Sequence, residues 1–219
     1  MPRETILNAV RAALAGDRVP PLAPIAAGAA DALDGAALAV RFTHEARAVG
    51  TIVHEVGSRA AAVDTLVAIL DAAAPAPRVV AWPTALAREL ATAAVARIAG
   101  ADLRLVERAT PADAIAQADL GITEADFLVA ESGTLVLRAR GRARTVSLLP
   151  PTHVAVVGRE RLVADLGAAL ARVRAMADRD SCLTLITGPS RTADIEKKLV
   201  VGVHGPCTLH VVLLERVEA

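Results

Sequence analysis

The chain has 219 residues, and its 24 Lys+Arg balance 24 Asp+Glu to a formal net charge of zero. That length suits one domain, or one domain with an arm, and an apolar content of 54% excludes a disordered chain. Zero net charge without a basic tail argues against nucleic acid as a partner, because phosphate contacts need clustered Lys and Arg.

Only Lys197 and Lys198 are lysines, and every other basic residue is arginine. With the abundant alanine, this bias fits GC-rich coding better than a phosphate-binding surface. Cys182 and Cys207 are too few for a disulfide scaffold or a four-cysteine iron–sulfur or zinc site. No metal site is expected on this chain. Met1-Pro2-Arg3-Glu4 does not open a basic-then-apolar leader. No uncharged apolar run reaches membrane-spanning length. The expectation is a cytoplasmic protein with no membrane span.

Ile6, Leu7, Val10 and Leu14 recur at helical spacing ahead of Gly16. Residues 1–15 therefore read as a helical arm that docks on the core or on a partner. Pro20, Pro21 and Pro24 mark residues 16–30 as a Pro-rich linker, and residues 31–219 as the main α/β domain. A helix is expected near Leu33–Ala48, then a strand over Thr51–Val56. Ser58 is placed to cap a helix bearing Val63, Leu66, Val67 and Leu70 on one face. Val79–Ala81 reads as a short buried strand. Thr84 can cap a helix carrying Leu86, Leu90, Ala94 and Ile98, and Leu103–Val106 reads as the next strand. Thr110-Pro111-Ala112-Asp113 is a good helix start, since proline fits the first helical position. Asp126–Ala130, Thr134–Arg138 and Arg144–Leu149 are strand runs too close together for crossovers, so a hairpin or bulged ribbon is expected. His153–Val157 follows as a strand, and Leu162 to Val173 as a long helix. Leu183–Thr187 and Leu209–Leu214 are nearly continuous apolar runs, which suit central strands covered on both faces. This alternation predicts an α/β sandwich with a mostly parallel sheet and an antiparallel hairpin insert.

The common cofactor and nucleophile motifs are absent: no Gly-x-Gly-x-x-Gly, no Walker A run, no zincin pair and no Gly-x-Ser-x-Gly elbow. Three segments carry the candidate chemistry. In Ala130-Glu131-Ser132-Gly133-Thr134 a carboxylate interrupts two apolar runs. Glu131 is either a base or nucleophile served by the backbone N–H groups of Ser132–Thr134, or a turn carboxylate facing water. Thr187-Gly188-Pro189-Ser190-Arg191-Thr192-Ala193-Asp194 follows a strand, so it lies at a carboxyl end, where open α/β sheets bind ligands. Gly188, Pro189, Ser190 and Thr192 would hold an anion ahead of a helix starting near Thr192; the alternative is an ordinary capped loop. Gly202-Val203-His204-Gly205-Pro206 presents one imidazole on a tight turn. His204 beside Asp194 or Glu131 would make an acid–base pair, and otherwise it is a histidine satisfied by backbone. His153, after Pro150-Pro151-Thr152, is a further candidate. His44, His54 and His210 read as structural or surface residues.

Those segments, with Gly121-Ile122-Thr123-Glu124-Ala125-Asp126-Phe127 and Leu149-Pro150-Pro151-Thr152-His153-Val154, resemble the LUD-domain family, and within it the lactate-utilisation type. The resemblance covers roughly residues 34–215. It implies a three-layer αβα sandwich of the NagB/RpiA/CoA-transferase type. It also implies a cluster-free subunit, with no cofactor bound by this chain, that works with two iron–sulfur proteins in oxidising L-lactate to pyruvate. In that picture Glu131, His204 and Asp194 are the catalytic candidates. Ser132, Gly133, Thr134, Gly188, Pro189, Ser190, Thr192, Gly205 and His153 would bind a small carboxylate or phosphate. Glu131-Ser132-Gly133 also looks similar to the Glu-Asn-Gly turn of CoA transferases, although no glycine-rich oxyanion segment accompanies it. A stand-alone enzyme acting on a small carboxylate or phosphorylated metabolite is the alternative. Cys207 departs from the family pattern, where an arginine is expected after His-Gly-Pro.

Overall fold

The computed structural model of the chain describes residues 3–14, 34–176, 182–193, 199–202 and 204–215. The expected linker over 16–30 lies outside those residues, as does Asp194. The arm forms helix α1 (Arg3–Leu14), on which Ile6, Leu7 and Val10 are exposed.

The core is a six-stranded, wholly parallel sheet. Its strands are β1 (Ile52–Val56), β2 (Arg78–Ala81), β3 (Asp102–Leu105), β4 (Leu120–Glu124), β7 (Thr152–Gly158) and β12 (Thr208–Leu214), in the order β1-β12-β7-β4-β2-β3. Register fixes which side chains share a face: Leu209 pairs with His153, and His153 with Gly121.

Helices cover one face. Ser58 Oγ accepts from Ala61 N and starts α3 (Arg59–Ala73), whose Leu66 and Leu70 are wholly buried. With Leu90 of α4 (Ala85–Val95) they pack on Ile122, Val154, Val156 and Val212. A short α5 (Ala112–Ala116) precedes β4.

The opposite layer is half helix and half sheet. Asp34 caps α2 (Gly35–Ala48), accepting from Ala37 N at 2.8 Å, and α2 buries Ala39, Phe42 and Ala46. Beside it lies a four-stranded sheet ordered β8-β5-β6-β9, built from β5 (Phe127–Val129), β6 (Thr134–Arg138), β8 (Leu162–Val163) and β9 (Leu183–Ile186). Leu128, Leu135 and Leu137 join Phe42, Trp82, Val211 and Leu213 in one core cluster. Helix α6 (Leu166–Ala175), capped by Asp165, packs Ala169 on the far side of this small sheet against Phe127 and Val136. The molecule is thus a three-layer α/β sandwich, and the expected hairpin is β5–β6, antiparallel, within a larger insert.

Four local expectations are corrected. Arg144–Ser147 is a short 3-10 helix, not a strand, with Ser147 Oγ bonded to Arg144 O. The long helix from Leu162 is shorter, because Leu162–Val163 pairs with β5 and Asp165 starts the helix afterwards. The run Leu183–Ile186 is an edge strand of the small sheet, with Leu185 44% exposed, and only β12 is central. No helix starts at Thr192: residues Arg191–Ala193 form β10, antiparallel to β11 (Leu199–Val201), with Thr192 opposite Val200.

Candidate functional site

The Gly188 and Gly205 loops and the segment leading into His153 converge at the amino edge of the parallel sheet, not at its carboxyl edge. The Gly188 loop does follow β9, but β9 belongs to the small sheet. The loop therefore faces the segments that enter β7 and β12. There a cavity of about 230 Å³ is lined by His153, Thr187, Gly188, Pro189, Ser190, His204 and Gly205, with Leu148 and Leu185 as apolar walls.

Backbone bonds knit the loops together. Ser190 N donates to Pro206 O at 3.0 Å, and Gly202 N donates to Ser190 O at 2.9 Å. Gly188 adopts φ +85, and a Cβ there would stand 2.6 Å from Val49 O, so only glycine lets the loop lie on the end of α2. Arg191 ties down the same corner by donating to Val49 O. Cys207 is exposed, and its N–H donates to Pro151 O at 2.8 Å.

The Glu-Ser-Gly-Thr turn reaches this cavity indirectly. Ser132 and Thr134 hydroxyls lie 2.8 Å apart, and Thr134 Oγ1 is 2.7 Å from Thr187 Oγ1. That relay joins the turn to the cavity wall. Gly133 holds φ +63 with α2 pressed against it, where a Cβ would meet Ala46 N at 2.3 Å. Glu131 itself is exposed, is not among the cavity-lining residues, and accepts a hydrogen bond from Leu166 N at 3.1 Å. It thereby satisfies an open N–H in the first turn of α6. His204 is exposed at the cavity rim without Glu131 beside it.

His153 is the buried polar group of the site. Its Nε2 is 2.8 Å from Thr123 Oγ1, while Nδ1 has no hydrogen-bond partner among the described residues. Burial, and secondarily the charge of His210, push its pKa down to about 3, so the ring is neutral near pH 7. His210 is lowered to about 4 by burial and by His54, whose ring stacks on it with Nε2 3.0 Å from His210 Nδ1. Thr123 was missed by sequence reasoning. Its partnership with His153 appears only once register places Gly121 opposite His153. Ser147, also missed, lines the cavity wall beside Thr187. Among the described residues no three His, Cys, Asp or Glu side chains are grouped to hold a metal ion, and no helix is long and apolar enough to cross a membrane.

A parallel α/β core with converging loops defines a class, and comparison supplies the family. The LUD domain model matches residues 39–214, and the chain belongs to that family. It is 50% identical over 95 residues to Lactate utilization protein C of Macrococcus caseolyticus, a stretch covering 41% of each chain. It is 43% identical over 117 residues to the protein of that name from Halalkalibacterium halodurans, covering 51% of this chain and 48% of that one. The chain thus spans less than half the length of either relative. A crystal structure of a DUF162 family protein from Deinococcus radiodurans shares the fold, with a TM-score of 0.58 at 23% identity over 83% of this chain and 99% of that one.

Proposed function

We propose that this chain is a subunit of an L-lactate utilisation system. It holds a small carboxylate at the amino-edge cavity and docks two iron–sulfur proteins that take up the electrons. Oxidation of L-lactate to pyruvate releases two electrons and two protons. In this reading the electrons pass to clusters in the partner proteins, and this chain binds no cofactor of its own. The observation that carries the reading is the convergence of motif segments distant in sequence on one cavity. The names of the relatives support the substrate.

The cavity chemistry fits a small acid. Ser190 and Thr187 offer hydroxyls, His153 offers an uncharged ring nitrogen, and His204 is the proposed proton-transfer group. A stand-alone thioester enzyme would instead use Glu131 as its nucleophile. The bond from Leu166 N to Glu131, outside the cavity, favours the first reading.

The test is reconstitution. Lactate-dependent reduction of the two partner proteins is measured with this chain, without it, and with His204→Gln. Omission should abolish turnover, and His204→Gln should lower it by about a hundredfold or more while the complex still assembles. Equal lactate oxidation without the chain would refute the reading.

A further inference from the structure

The parallel sheet ends at β3, and among the described residues that edge is open. β3 pairs with β2 alone. Asp102 N donates to Pro77 O at 3.1 Å, and Val106 N to Ala81 O at 2.9 Å. Successive residues of a strand turn their backbone groups to opposite sides. Asp102, Arg104 and Val106 therefore face β2, and Leu103 and Leu105 turn their N–H and C=O outward. These outward groups have no hydrogen bond among the described residues. Leu105 is also 40% exposed. Such a row of unpaired groups is a template for another strand.

Two opposite charges stand on this strand, one on each side of Leu103. Leu103 packs against the core cluster that holds Leu66 and Leu90. Asp102 and Arg104 therefore share the other face, where they line a cavity with Arg78 and with Asp113 of α5. Both are exposed, and neither makes an ion pair or side-chain hydrogen bond among the described residues. Arg78 stands opposite Asp102 in the β2–β3 register but is paired with Asp119.

A two-fold axis normal to a sheet sets two copies of an edge strand antiparallel and keeps their faces aligned. Leu103 can then stand opposite Ala101, Leu103 or Leu105 of the second copy. The first register sets Asp102 against Asp102, and the third sets Arg104 against Arg104; like charges directly opposite are destabilising. The middle register has neither fault. Leu103 exchanges both backbone bonds with Leu103 of the copy, and Leu105 N–H donates to Ala101 O of the copy. Asp102 stands opposite the copy's Arg104, and Arg104 opposite its Asp102. These are non-hydrogen-bonded pairs, with Cα atoms about 4.5 Å apart and side chains at their closest. Two ion pairs thus flank the axis on one face.

We propose that β3 is the interface with a second copy of this chain, paired antiparallel about a two-fold axis at Leu103. Asp102 and Arg104 set the register, and the two six-stranded sheets join into one. The dimer does not depend on what the amino-edge cavity holds.

Analytical ultracentrifugation of the whole chain decides it, with Asp102→Arg, Arg104→Asp and the double variant carrying both. The unaltered chain should be dimeric at about 100 μM. Each single variant sets two like-charged pairs across the axis and should weaken the dimer about tenfold or more. The double variant reverses both pairs and should bind within about threefold of the unaltered chain. Circular dichroism checks that the dissociated chains stay folded. If a single reversal fails to fold, the neutralising variants Asp102→Asn and Arg104→Gln take its place, each weakening the dimer about threefold. A chain that is monomeric at about 100 μM overturns the proposal. So does a dimer that the single variants leave intact, or a double variant that binds no tighter than they do.

Discussion

Acid stability isolates what His153 does. Its ring is wholly buried and held at about 3, against an ordinary 6.5. The folded protein keeps the ring neutral where the unfolded chain takes up a proton. Stability from this residue is therefore complete above about pH 6.5 and drains away as pH falls toward about 3, at about 1.4 kcal/mol per pH unit. Across that window the loss reaches at most about 5 kcal/mol, which is a large part of a typical domain's total stability. His210, lowered to about 4 but partly exposed, adds a smaller loss over the same range. His153→Gln keeps an amide that can meet Thr123 Oγ1 and removes the titration. Denaturant unfolding of both proteins between about pH 7 and pH 4 reads the difference, because the carboxylates are common to both and cancel. The variant should be the less stable at neutral pH, and the gap should close by about 1 kcal/mol per pH unit below about pH 6.5. Parallel curves would refute the reasoning, as would an NMR titration of the ring centred above about pH 5.5.

Other substitutions probe the loops. Thr134→Val cuts the hydroxyl relay at a buried position and should cost about 1–3 kcal/mol in denaturant unfolding; unchanged stability would mean the relay is inert. Gly188→Ala must leave φ +85 or collide with Val49 O, so a loss of about 1–2 kcal/mol or more is expected, with the loop's amides exchanging faster with solvent. Glu131→Ala should destabilise by about 0.5–1.5 kcal/mol through the lost bond to Leu166 N. Glu131→Gln, by contrast, retains an acceptor and should leave folding near normal. Full lactate turnover by a reconstituted complex carrying Glu131→Gln would remove this residue from catalysis.

The residues differ in how much of this they announce. Leu209–Leu214 and His153–Val157 read as buried strands because both faces are apolar, and both lie inside the parallel sheet. Leu183–Ile186 has the same local signature, yet Leu185 is 44% exposed. A four-residue apolar run carries no record of what will cover its second face, since that depends on chain far away in sequence. Ser58 was legible as a cap because capping is settled within three residues. The glycines, prolines and hydroxyls of the Gly188 and Gly205 loops lie together around one cavity. Which edge of the sheet they would occupy depends on whether β9 joins the large sheet or the small one, and nothing near Gly188 encodes that choice. Glu131 stood out as a carboxylate among apolar residues, but its helix partner lies 35 positions onward.

Strand β12 has a consequence for synthesis. It fills the slot between β1 and β7 and is the last of the described strands to be made. Until residues 208–214 leave the ribosome, β1 has no neighbour and β7 offers a bare edge to any passing strand. The nascent protein thus waits with its sheet split in two, and a ribosome that stalls late would release a chain prone to clumping, not a smaller working one.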